Sequence, residues 1–194
     1  MYGSASGGGI KEEDTPVKAK TALVAQLREA IAQKLQQMVR LNKTRINYLD
    51  KFQQMIIEHN ADSRNVQIFF NDLINFAQEL GVENKRAIAK NITEEELAIF
   101  DLLTKPEIQL TKQEEQEVKQ VARELLKTLK KEKLVLDWKK RQQTRASVEV
   151  AIKDGLDKLP QSYSDKLYEQ KCQEVYQHIY ENYSGQKSIY DAGA

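Results

Sequence analysis

From Val24 the apolar positions fall at Val24, Leu27, Ile31, Leu35, Met38 and Leu41, steps of three and four that lay one stripe along a helix. A second stripe follows with Ile46, Leu49, Phe52 and Ile56. Asn42 and Thr44 between them can cap a new helix, and nothing there forbids a continuous one, so residues 24–58 are open to either reading. Asn60, Ala61, Asp62 and Ser63 make a clearer break, because such residues favour turns and caps over helix interiors. A third stripe carries Val66, Phe69, Phe70, Leu73, Ile74, Phe76, Ala77 and Leu80, with Gly81 placed as its C-terminal stop.

Thr93 with Glu96 and Thr111 with Glu114 have the spacing of capping boxes, in which hydroxyl and carboxylate each satisfy a backbone donor at a helix start. They open a short helix through Leu103 and a long one to about Lys131, separated by Pro106. The long helix sets Val118, Val121, Leu125 and Leu129 against a dense Lys/Glu face. Leu134 to Asp137 interrupt the pattern; a helix is predicted from about Trp138 to Lys158, ahead of Pro160. Ser164 then caps a last helix with Leu167, Cys172, Val175, Tyr176, Ile179, Tyr180 and Tyr183. The only β-prone stretch, Lys133 to Leu136, is too short to build a sheet. The fold expected is all-α, a compact multi-helix domain of about six to eight helices and about 70% helix.

Four of the 8 glycines lie within the first nine residues, and residues 10–21 mix charge with Pro16 without an apolar period. The division predicted is a flexible linker over 1–22, a helical domain over 23–184 and a flexible tail over 185–194.

Composition narrows the function. No apolar run approaches the ~20 residues that cross a bilayer, and the N-terminus has no apolar signal core, so a soluble, unexported chain is expected. A single cysteine, Cys172, and two histidines, His59 and His178, leave no material for a disulfide scaffold or a zinc site. After Gly9 no glycine is followed by Lys and Ser or Thr in the manner of a phosphate loop. The Glu-x-Lys triplets at 83–85 and 117–119 sit in or beside helices rather than on adjacent strands, where a metal-dependent nuclease would need them. No catalytic residue, metal or cofactor is expected.

Net charge is only +1, yet Lys127 to Arg145 holds eight basic residues against Glu132 and Asp137, while the rest of the chain sums to −5. Lys131, Lys133, Lys139, Lys140, Arg141 and Arg145 are the candidate phosphate contacts; dipole compensation at a helix C-terminus is the plainer reading. On a helix begun at Trp138, Arg141 and Arg145 would continue the apolar face, either ion-paired at the core edge or projecting into a binding surface. Six of the 8 tyrosines fall at Tyr163, Tyr168, Tyr176, Tyr180, Tyr183 and Tyr190. Trp138, Tyr176, Tyr180 and Tyr183 are the candidate interface residues, core packing being the commoner use of such rings.

Three blocks then carry a resemblance: Thr93-Glu-Glu-Glu-Leu-Ala-Ile-Phe-Asp-Leu-Leu-Thr104, Val135-Leu-Asp-Trp-Lys-Lys-Arg-Gln-Gln-Thr-Arg-Ala146, and Leu167-Tyr-Glu-Gln-Lys-Cys-Gln-Glu-Val-Tyr-Gln-His-Ile-Tyr180. In this order the chain, from about Leu23 to Tyr183, resembles the C-terminal domain of the restriction, or motor, subunit of type I restriction-modification enzymes. The resemblance implies a bacterial cytoplasmic parent with nuclease and ATP-driven motor domains, assembled with methyltransferase and specificity subunits. This region would lie beyond the motor, docking the subunit onto the methyltransferase core and contributing to duplex DNA binding. The rivals are a structural cap on the motor without DNA contact and an unrelated helical adaptor.

Overall fold

The computed structural model describes residues 14–62, 65–106, 108–185 and 187–191. Among them the chain forms eight α-helices: α1 Asp14–Leu41, α2 Ile46–Asp62, α3 Val66–Asn84, α4 Arg86–Ala89, α5 Glu94–Thr104, α6 Lys112–Thr128, α7 Gln142–Leu156 and α8 Asp165–Asn182. A 3₁₀ turn at Lys43–Arg45 and a π turn at Leu129–Lys133 join them, and two-residue strands β1 Tyr183–Ser184 and β2 Lys187–Ser188 pair antiparallel. The all-α expectation holds.

Several boundaries move. Helix α1 begins at Asp14, so residues 14–22 are its first turns and not a linker; residues 1–13 lie outside the described set. Lys and Ala sustain a helix without an apolar stripe, and Pro16 sits in the first turn, where a missing N–H costs nothing. The open question at 42–46 resolves as two helices: Asn42 accepts from the Thr44 N–H at 3.1 Å and starts the 3₁₀ turn. Gly81 does not stop α3, which runs on to Asn84; the left-handed backbone falls at Asn91 instead, φ 55°. Both capping boxes and the Ser164 cap form as expected.

By its contacts the chain divides into two units, one of residues up to Gln36 with Tyr48–Glu83, the other of Gln37–Asn47 with the chain from Asn84. In the first unit Val24, Ile31, Leu35, Phe52, Phe69, Leu73, Phe76 and Leu80 are buried. Phe52 stacks on Phe76 at 5.7 Å, His59 stacks on Phe69 at 3.9 Å, and Lys51 pairs with Glu79 at 2.6 Å.

In the second unit α5, α6, α7 and α8 each pack against two of the others and close a four-helix ring. Its interior holds Leu97, Ile99, Leu103, Val118, Leu129, Leu134, Val148, Ile152, Val175 and Ile179. Cys172 is buried there as the apolar stripe implies. Gly155 permits the approach of α7 to α6, since a Cβ there would meet Leu125 Cδ1 at 2.9 Å.

The segment at 42–45 is held to this ring by a buried polar cluster. Asp101, fully buried on α5, accepts from Asn42 Nδ2 at 2.7 Å, from Thr44 Oγ1 at 3.3 Å and from Lys105 Nζ at 3.4 Å, and is paired with Arg86. Buried Arg45 pairs with Glu94, and Lys43 with Glu181. The chain beyond α8 joins in, so it is not a loose tail over its described residues. Tyr190 donates its hydroxyl to the Leu41 carbonyl, and the Ser188 N–H donates to Asp191 at 2.6 Å. Residue 186 and residues 192–194 lie outside the described set.

His178 is buried beneath this cluster, with Nε2 3.3 Å from the Tyr190 hydroxyl and Nδ1 3.2 Å from Asn182 Nδ2. The Tyr190 proton is committed to Leu41, so a neutral ring protonated at Nε2 satisfies both neighbours. Burial, then the Lys43 ammonium, holds its pKa down to about 4. The unfolded chain therefore takes up a proton that the folded chain refuses between about pH 6.5 and 4. Stability is expected in full above pH 6.5 and to fall by about 2–3 kcal/mol as the pH drops through that window. Urea midpoints at pH 7.5 and 4.5 measure it; His178→Gln should flatten the difference, and an equal drop in that variant would assign it to other groups.

Candidate functional site

The connector between α6 and α7 carries five of the six basic candidates, Arg145 standing in the first turn of α7, and its shape is set by two departures from helix. The π turn closes with the Leu134 N–H donating to the Leu129 carbonyl at 2.9 Å, which turns both leucines into the core. Asp137 then takes a left-handed backbone, φ 59°, and the Trp138 N–H donates to the Val135 carbonyl at 3.1 Å. Helix α7 consequently starts at Gln142 and not at Trp138. Thr144 secures the junction by donating to the Trp138 carbonyl at 2.6 Å.

Trp138 and Tyr183, expected at an interface, are fully buried. The Trp138 ring meets Tyr180 and Tyr176 edge-on, at 5.8 and 6.5 Å, and Tyr183 donates its hydroxyl to Glu95 at 2.7 Å. These two rings build the frame. Of the four candidates only Tyr180 and Tyr176 reach the surface, Tyr180 at 38% exposure. Tyr176 also lines an open groove of about 920 Å³ between α7 and α8, with Glu149, Lys153, Tyr168 and Cys172. Burial raises the pKa of its phenol and that of the Cys172 thiol, the opposite of an activated nucleophile.

The six basic candidates do not form one uniform patch. Lys131 and Arg141 are exposed and make no ion pair among the described residues; Lys140 is exposed beside Asp137, at 3.0 Å. Lys133 is half-buried at the end of the π turn. Lys139 lies over the Tyr180 ring at 5.2 Å and near Trp138 at 5.9 Å, and desolvation lowers its pKa. Arg145 is half-buried and donates to the Lys139 carbonyl at 2.6 Å, and it pairs with no carboxylate among the described residues. Arg141 does not continue an apolar face, because the helix that would place it there has not begun.

Two residues the sequence did not single out complete the surface. Val135 is 47% exposed and Leu136 88% exposed, at the tip of the connector and ahead of Lys140 and Arg141 in the chain. Their apolar character was visible in the string Leu134-Val135-Leu136, but alternation would have put Leu134 and Leu136 on one side; the turn separates them.

Among the described residues no group of three His, Cys, Asp or Glu side chains could hold a metal ion, and no helix is long and apolar enough to cross a membrane. No curated protein and no solved structure matches the chain. The family model described as type I restriction enzyme HindI endonuclease subunit-like, C-terminal, matches residues 11–184, reaching the first turns of α1 that the apolar stripe missed, and the chain belongs to that family.

Proposed function

We propose that this domain is a non-catalytic docking element that holds a type I restriction subunit on its methyltransferase core, with weak accessory contact to duplex DNA. The observation that carries the reading is the exposed connector tip with Tyr180, mounted through buried Trp138 and Leu134 on a closed four-helix ring. Apolar side chains fixed on a rigid frame suit a protein interface, since little freedom is lost when they are covered. The family supplies the setting, an endonuclease subunit of a type I system.

The DNA part rests on Lys131, Lys140 and Arg141, the exposed members of the basic cluster. Three phosphate contacts would give a logarithmic salt slope of about −3, with little preference for sequence.

A parent subunit lacking this domain should keep its motor chemistry and fail to co-purify with the methyltransferase–specificity complex. Normal assembly of that truncated subunit would favour a structural cap on the motor and remove the docking reading.

A further inference from the structure

We infer that the Val135–Leu136 tip is a preformed knob for an apolar pocket with an acidic rim on a protein partner. This rests on the docking reading and names the chemistry of the surface that receives it. A lone exposed leucine signifies little. Here two adjacent aliphatic side chains are exposed together, and Tyr180, also partly exposed, packs edge-on against the nearby Trp138 ring.

The tip is fixed in place. Leu134 and Trp138 are buried on either side of it, the Trp138 N–H closes the turn onto the Val135 carbonyl, and Asp137 holds the left-handed backbone. The hairpin after α8 supports it from below: a Cβ at Gly185, φ 72°, would lie 3.7 Å from the Val135 carbonyl oxygen and 3.8 Å from the Leu136 Cα. A side chain presented on so constrained a loop is ordered before it binds, which is the condition for an anchor residue.

The rim supplies the sign of the partner. Lys140 and Arg141, four and five residues beyond Leu136, are exposed, and Lys139 lies over Tyr180. Carboxylates around the receiving pocket would complement them. Duplex DNA is the poorer occupant, because phosphates gain nothing from two aliphatic side chains.

The test uses the full parent subunit and two probes, the purified methyltransferase–specificity complex of the same system and a mixed-sequence duplex at two salt concentrations. Leu136→Ser should weaken binding to the protein complex about tenfold or more, through faster dissociation, while leaving duplex affinity and the melting of the isolated chain unchanged. Lys140→Glu with Arg141→Glu should slow association with the protein complex, most strongly at low salt. Unchanged assembly of Leu136→Ser, with assembly still lost when the whole domain is removed, would overturn the knob and leave docking intact elsewhere. A loss confined to duplex binding would overturn it in favour of a DNA wedge. Assembly that survives removal of the domain would sink the docking reading itself.

Discussion

Asp101→Ala is expected to cost about 3–5 kcal/mol of stability, a drop of roughly 10 °C in Tm. The carboxylate is fully buried and accepts from Asn42, Thr44 and Lys105 while paired with Arg86. A buried charge so fully partnered contributes little net stability compared with an apolar substitute that suits the site, but removing the carboxylate alone leaves the buried Asn42 donor and the partly buried cations Arg86 and Lys105 facing a void. The damage should be local in origin, because Asn42 and Thr44 hold the segment between α1 and α2 against α5. Asp101→Asn keeps the shape and one acceptor while losing the charge, and should fall between Ala and wild type. Denaturant midpoints of the three proteins measure the order; an Ala variant within about 1 kcal/mol of wild type would mean that water replaces the carboxylate without penalty.

Asp101 also marks what the sequence could not disclose. It lies in the block Thr93 to Thr104, whose capping box and apolar residues announced a buried helix correctly, yet nothing in spacing tells a buried aspartate from a solvated one. Its partners Asn42 and Arg86 are distant in the chain, so their meeting is a property of the tertiary fold. The helices themselves were legible wherever a stripe or a cap specified them, as at Thr93, Thr111 and Ser164. They were misread where backbone departed from the helical period. The π turn at 129–133 and the left-handed Asp137 shift the phase, so extrapolating a stripe back to Trp138 put Arg141 on the wrong face. At Gly81 a residue type that commonly ends helices stands where the helix continues, because αL geometry is permitted by glycine and not compelled by it. The basic cluster was legible as a count, and its division into exposed, ring-covered and carbonyl-bound members was not, since that depends on which side chains Trp138 and Asp137 place beside it.

Three of the four aromatic residues first grouped as an interface, Trp138, Tyr180 and Tyr183, should separate cleanly on substitution. Trp138→Ala removes the largest fully buried side chain and is expected to cost about 3–5 kcal/mol, with loss of the cooperative melt in a marginal background. Tyr183→Ala should be similar, since it empties a core position and strips Glu95 of the hydroxyl it accepts from at 2.7 Å. Tyr183→Phe isolates that hydrogen bond and should cost about 1–3 kcal/mol. Tyr180→Ala, at a ring that is partly exposed, should cost less than about 1 kcal/mol and change the melt little. Its effect belongs in assembly with the methyltransferase–specificity complex, where losing a partly exposed ring packed on Trp138 should raise the dissociation rate. Thermal melts and co-purification of these variants decide it, because Trp138→Ala and Tyr183→Ala should lose stability and assembly together, whereas Tyr180→Ala should lose assembly with its melt intact. Were Tyr180→Ala to unfold the chain as Trp138→Ala does, the exposed edge of α8 would be core, and the surface argued from it would have to lie on another face.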